Sequence, residues 1–175
     1  MAIAVRVTPM KRFFDIESPI GSLRLVSDGA SLTELQLKPE PRRRLSADEW
    51  RESPGLRPLS VAAEQLTQYF AGRRRSFELP LAPAGTQFQQ RVWQALREIP
   101  YGTTWSYGQL AAHIGSAGAA RAAGLANNRN PIAIIIPCHR VIGADGSLVG
   151  FGGGLDMKQW LLRHEGAEAQ GSLPL

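Results

Sequence analysis

The chain has 175 residues, 43% hydrophobic and 20% charged, which is enough apolar material for a buried core and too little charge for a disordered polyelectrolyte. Its single cysteine excludes an internal disulfide and fits a reducing, cytoplasmic setting. The N-terminal MAIAVRVTPMKRFF lacks an apolar signal core, and no run is long enough to span a bilayer. A net charge of +5 fits a polyanionic partner without demanding one.

In chain order, RFFDIES and GSLRLVSD read as two strands joined by Pro19-Ile20-Gly21, a hairpin turn. ASLTELQL follows Asp28-Gly29 and alternates imperfectly through Leu32, Leu35 and Leu37. The arginine-rich segment 41–57 is polar and proline-bearing, and it reads as a loop with little structure of its own. The triple-arginine runs, Arg42 to Arg44 and Arg73 to Arg75, read as solvated loop and helix-end residues. Leu59, Ala62, Ala63, Leu66, Tyr69 and Phe70 recur at helical spacing, and Gly72 ends that helix. FELPLAPAG, residues 77–85, has the composition of a linker. This divides the chain into a small α/β domain, 1–82, and a second domain, 86–175.

The second domain is mostly helical. Thr86 is positioned to cap QFQQRVWQALREI, which Pro100 stops. The segment TTWSYGQLAAHIGSAGAARAAGLANNRNP has the outline of a helix-turn-helix, with its turn at Gly115 to Gly118 and its end at Pro131. The second helix, GAARAAGLA, carries one long side chain, Arg121, and so offers almost nothing to read base edges. Two readings stand for it. One is tight helix packing with Arg121 in a salt bridge; the other is a helix pressed into a narrow groove with Arg121 as a wedge.

NPIAIII then reads as a strand that Pro137 ends just before Cys138. His139 and Arg140 follow directly, and both are costly to bury without partners, so this corner is expected to be polar. A cation and an imidazole beside a thiol favour the nucleophilic thiolate. In DMKQWLLRHEG, Asp156 can cap a helix that carries Met157, Leu161, Leu162 and Glu165 on one face, with His164 on a neighbouring face as a packing residue. Two readings remain open: Cys138, His139 and Glu165 as nucleophile, base and orienter, or Glu165 in an ordinary ion pair with an arginine. One cysteine and three histidines at no ligand-pair spacing make no zinc site.

NPIAIIIPCHRVIG, SYGQLA, GAARAAG, GFGGG and WLLRHEG together resemble the O6-alkylguanine-DNA alkyltransferase family, also called the methylated-DNA–protein-cysteine methyltransferases. The resemblance is specific from Thr86 to Gly166. The first half is similar only in outline to the family's ribonuclease-H-like domain, so the implied fold class is α+β.

The resemblance implies single-turnover DNA repair without a cofactor or metal. Cys138 would accept the alkyl group from O6-alkylguanine irreversibly, with O4-alkylthymine as a second candidate lesion. His139 would take the thiol proton through a water, and Glu165 would orient His139. Tyr107 would donate a proton toward N3 of the departing guanine. Asn130 would tie the recognition helix to the active-site strand. Arg121 would fill the gap left by the flipped nucleotide, while Ala119, Ala120 and Gly124 would line a sequence-nonspecific minor-groove contact. The Val141 carbonyl would shape the base pocket together with the loop Gly150 to Gly154, which holds Phe151, Gly152 and Gly153. The partner would be double-stranded DNA, with no membrane and no obligate protein partner; the protein would act as a monomer or cluster along DNA. Phe151 departs from relatives that carry tyrosine there and removes a hydroxyl from the pocket wall. The cysteines of a zinc site found in some relatives are missing, as is a fused regulatory domain. Two competing classes are a lesion-binding protein that lacks the thiol, which Cys138 argues against, and a Cys-His-Glu hydrolase, which would need an oxyanion hole.

Overall fold

The computed structural model describes residues 10–167. Lys11–Ser18 (β1) and Gly21–Ser27 (β2) form the expected hairpin, in register from Arg12 opposite Ser27 to Ser18 opposite Gly21. Leu32–Leu37 (β3) pairs antiparallel with β2, and a register shift at Val26/Ser27 accounts for its uneven alternation. The sheet order is β3-β2-β1-β4.

The fourth strand corrects the sequence reading of segment 41–57. That segment contains a 3₁₀ turn, Arg42–Arg44, and a strand, Trp50–Glu52 (β4), which runs parallel to β1. Its polar composition hid its partners, which lie on β1 or within the segment. Arg42 Nε reaches Asp15 Oδ2 at 2.7 Å, and its Nη1 reaches Glu52 Oε1 at 2.7 Å. Asp15 also receives Nε and Nη2 of the buried Arg24, at 2.7 and 2.8 Å. Trp50 sets its ring edge-on to Phe13 with centroids 6.0 Å apart.

Arg57–Phe70 (α1) lies across the sheet and buries Leu59, Ala62, Leu66 and Tyr69. Gly72, at φ +71°, closes it: Gly72 N–H donates to the Tyr69 carbonyl and Arg73 N–H to the Gln68 carbonyl. That bond pair requires a left-handed residue, which glycine supplies at little cost. The segment expected as a linker is extended and attached: Leu81 bridges to Leu32, and Phe77 and Leu79 pack on the core.

Gln87–Leu96 (α2) starts at Thr86 with a reciprocal capping box, Thr86 with Gln89. Trp105–Ser106 (β5) leads into Tyr107–His113 (α3), itself capped by Ser106 and Gln109. Gly115, at φ +73°, ends α3, and Ala120–Asn128 (α4) follows to complete the helix-turn-helix. Val141–Ile142 (β6) pairs parallel with β5. Leu155–His164 (α5) closes the described chain. Gly154, not Asp156, occupies the cap position of α5; Asp156 sits inside the first turn, where its charge suits the helix dipole.

A second correction concerns the apolar run before the cysteine, which forms no strand. Ile136 N–H donates to the Ile132 carbonyl at 3.0 Å and Ile135 N–H to the Ala133 carbonyl at 2.8 Å, so the chain coils on itself. Its only sheet-like link among the described residues is the bridge between Ile132 and Leu35. Prolines at both ends and the side chain of Asn130 favour this knot over a ladder. Asn130 Nδ2 donates to the Ile136 carbonyl at 2.7 Å while its Oδ1 accepts from Ile132 N–H at 3.0 Å. Ile134 is left at φ +71°, a strained conformation for a β-branched residue, held by complete burial. Leu23, Leu35, Leu66 and Tyr69 from the first half share one core with Trp93, Ile132 and Ile136 from the second. Among the described residues, no helix is long and apolar enough to cross a membrane.

Candidate active site

Cys138 follows the knot on a 3₁₀ turn, Cys138–Arg140, whose three residues are all buried. The sequence suggested a polar corner with a ready thiolate; the structure encloses the thiol instead. Burial pushes the Cys138 thiol up, against smaller pulls from Asn130 and the Lys158 charge. The resting form is therefore the thiol, and a base is needed to make it a nucleophile.

His139 stands next to it, wholly buried, with Nε2 2.8 Å from Glu165 Oε1. A carboxylate only accepts, so Nε2 carries the proton and Nδ1 is the basic nitrogen. Among the described residues, Nδ1 has no hydrogen-bond partner. Burial holds the imidazole below its ordinary pKa, against the raising effect of Glu165, and keeps it neutral near pH 7.

Glu165 caps the end of α5 and is the most heavily coordinated group here. Oε1 accepts from His139, from Tyr69 Oη at 2.7 Å and from Arg140 Nη2 at 3.0 Å. Oε2 accepts from Arg140 Nε at 2.8 Å and Gly102 N–H at 3.3 Å. Burial alone would raise its pKa, but the His139 and Arg140 hydrogen bonds outweigh that and hold the carboxyl well below the usual range. Glu165 makes the contacts that both sequence readings require, pairing with the histidine and with an arginine. His164 packs as expected, stacked on Trp160 and bonded to the Tyr69 carbonyl.

A cavity of about 250 Å³ opens against the thiol, lined by Cys138, Asn130, Ala133, Phe151 and Gly152, with β3 residues Leu35 and Leu37 on its far side. Two residues expected in the pocket stand outside this lining. Gly153 is buried under α5, where a Cβ would collide with Met157 Sδ. Val141 is wholly buried, and its carbonyl accepts from Lys158 Nζ at 2.5 Å. Lys158 also donates to the Val149 carbonyl at 2.7 Å and so ties the glycine-rich loop to β6. Burial lowers its pKa to about 8, which leaves it mostly charged at neutral pH.

Tyr107 begins α3, and its hydroxyl donates to the Val149 carbonyl at 2.9 Å. Burial raises its pKa, with a contribution from Cys138, so it remains a proton donor. Gly124 lies against Tyr107: a Cβ there would come 3.3 Å from the ring, so its small size sets the approach of α3 and α4. Ala119 and Ala120 are half-buried. Arg121 is exposed and makes no ion pair among the described residues, which removes the core salt-bridge reading. Asn130 ties the knot to itself. Asn127 on α4 makes the link to the cysteine, donating from Nδ2 to the Cys138 carbonyl at 3.4 Å.

Sequence reasoning did not find Asn127, Lys158 or Tyr69. Lys158 had a signal, since it lies three and four residues before Leu161 and Leu162 on the buried stripe. Tyr69 had none, because its partner is 96 residues away.

The chain thus joins a sheet-and-helix first half to a helix-turn-helix and a buried Cys-His-Glu set whose thiol lines a cavity. Residues 87–167 match the family model described as 6-O-methylguanine DNA methyltransferase, DNA binding domain, and residues 13–83 match its ribonuclease-like domain. A methylated-DNA–protein-cysteine methyltransferase of Methanosarcina acetivorans is 50% identical over 86% of this chain and 96% of its own. One from Mycobacterium bovis is 51% identical over 95% and 99%. The crystal structure of Mycobacterium tuberculosis OGT in complex with DNA superposes with a TM-score of 0.80 at 51% identity, covering 89% of this chain and 93% of that one. The chain belongs to the methylated-DNA–protein-cysteine methyltransferase family. It is a DNA-repair protein that moves an alkyl group from DNA to a cysteine of its own in a single turnover.

Proposed function

We propose that Cys138 is the acceptor and that His139, Glu165, Tyr107 and Asn130 serve the transfer. The observation that carries this is the lone cysteine lining a cavity beside a buried histidine whose basic nitrogen has no partner among the described residues. A water between them passes the thiol proton to Nδ1, and Glu165 supports the imidazolium that forms. The sulfur then attacks the alkyl carbon in line; the S–C bond forms, the C–O6 bond breaks, and its electron pair stays with the base. Tyr107, turning from the Val149 carbonyl, supplies a proton at N3 so that neutral guanine leaves. Asn130 holds the knot that presents the thiol. The thioether product resists hydrolysis, so each molecule acts once. O4-alkylthymine, with its alkyl group on the equivalent oxygen, is a second candidate substrate.

The partner is double-stranded DNA; the Mycobacterium tuberculosis complex supports binding to DNA. The alkylated oxygen is inside the stack, so the nucleotide is flipped into the cavity. Exposed Arg121 takes its place, with Ala119 and Ala120 toward the minor groove and Gly124 setting the spacing behind them. Phe151 and Gly152 face the base. The protein works as a monomer on DNA, in the cytoplasm, where a lone thiol stays reduced.

Incubation with a duplex containing O6-methylguanine should add one methylene-sized increment to the intact mass, mapping to the peptide of Cys138. Cys138→Ser should bind the duplex and gain nothing. Labelled methyl attached to that variant at a comparable rate would show that the acceptor is elsewhere.

A further inference from the structure

Tyr69 belongs to α1, in the ribonuclease-like half, yet its hydroxyl reaches the active-site carboxylate. We infer that Tyr69 is a positioning residue for alkyl transfer: its hydroxyl fixes Glu165 and thereby sets the orientation and basicity of His139. The first half then contributes to the chemistry as well as to the core. This rests on the assignment of His139 as the base.

Three observations support it. The ring is fully buried and already packed by Phe70, Phe77 and His164 at centroid distances of 5.1 to 5.5 Å, so a phenylalanine would fill the same space. The hydroxyl adds a single hydrogen bond, and it goes to Oε1, the same oxygen that receives His139. The backbone is fixed as well: the Tyr69 carbonyl accepts from Gly72 N–H at 2.9 Å and from His164 Nε2 at 2.7 Å. Burial and the Glu165 charge keep the phenol protonated, so it is a permanent donor.

A carboxylate oxygen shared among three donors is less basic toward any one of them. The charged groups acting on His139 are Arg140 on the same turn and Glu165 and Lys158 from α5; Cys138 is its chain neighbour, Tyr69 reaches it from α1 through Glu165, and Tyr101 faces Glu165 from the loop after α2. Removing the Tyr69 hydroxyl leaves more of the Glu165 charge to stabilise protonated His139. The imidazole is then protonated at higher pH, and the acid limb of the transfer rate moves up.

The test uses free O6-benzylguanine, so DNA binding does not enter, with single-turnover rates from pH 5 to 9 and melting curves alongside. Tyr69→Phe should lose roughly tenfold in plateau rate, the scale of one hydrogen bond to a charged group. Its acid limb should rise by about half a pH unit. Leu66→Ala, which weakens the same helix without touching Glu165, should melt earlier yet keep the wild-type limb. If Tyr69→Phe does not fold, 3-fluorotyrosine placed at 69 keeps the shape and strengthens the donor, and the limb should move down. A wild-type profile in either substituted protein overturns the proposal. Glu165→Gln separates the layers: if it shifts the profile and Tyr69→Phe does not, only Tyr69 is misassigned. If neither shifts it, His139 is not the base.

Discussion

Glu165 ties the proposed proton relay to stability at a single residue. Five donor contacts converge on one buried carboxylate, and two come from a guanidinium that is itself buried. Glu165→Gln keeps the shape but leaves Arg140 charged and uncompensated, and breaking such a pair costs ~3–5 kcal/mol. Transfer should slow as well, toward the lower end of the ~10²–10⁴-fold range typical of acid-base assistance. The acid sensitivity has a definite sign. Because the folded-state pKa lies below the unfolded value of 4.5, the stabilisation is fully present above pH 4.5 and is lost as pH falls below it. The stability gap between wild type and Glu165→Gln should therefore be widest near neutrality and narrow in acid. Asp15 behaves alike in both proteins, held down by Arg24 and Arg42 against burial, so it cancels in the difference. Denaturant titrations at pH 3.5, 5 and 7 would measure this, and a constant gap would mean that Glu165 is not the titrating group.

At the scale of elements, what the sequence showed and what it hid separate by physical cause. The hairpin, α1, the cap at Thr86 and the helix-turn-helix were legible because turn chemistry, capping and 3.6-residue periodicity are local. The knot at 131–136 was not: its apolar run matches a strand, and what folds it is a side chain outside the run, Asn130. β4 was hidden because Arg42, which anchors it, is exposed as expected of a loop arginine, and its pairing with Asp15 and Glu52 leaves no local signal. The Cys138–His139–Glu165 set was legible from the apolar stripe of α5, while its support from Tyr69 and Lys158 depended on contacts far away in sequence. Two predictions belong here. Lys158→Met should free the loop 149–154 from β6 and slow reaction with free O6-benzylguanine by roughly tenfold, the scale of its charged hydrogen bonds; an unchanged rate would mean that the loop holds itself. Arg121→Ala should leave that free-base reaction near normal while slowing repair of duplex DNA, because a wedge matters only where a stack must be opened, at a few kcal/mol. Equal losses on both substrates would discard the wedge.

On the scale of the whole molecule, the question is what kind of DNA contact this surface makes. The net charge is +5, and the basic excess is spread, 13 basic against 10 acidic residues in 1–88 and 7 against 5 in 89–175. The exposed face of α4 presents Arg121, Ala122, Leu125 and Asn128, continued by Arg129 at its C-terminal cap, with Leu125 56% exposed. That face offers cations to phosphates and apolar surface to a groove floor, but few groups that can read base edges. A repair protein gains from this, since damage occurs in every sequence context. Affinity should accordingly fall steeply with salt, because each neutralised phosphate contributes about −0.9 to the slope of log K against log salt. It should vary little between sequences, since one good base contact alone is worth ~1–3 kcal/mol of discrimination. Fluorescence titrations of two unrelated undamaged duplexes from 50 to 200 mM salt test both statements. Parallel slopes with affinities closer than that margin are expected. A larger gap between the duplexes, or a flat salt dependence, would mean that α4 reads bases or that apolar contact alone holds the complex.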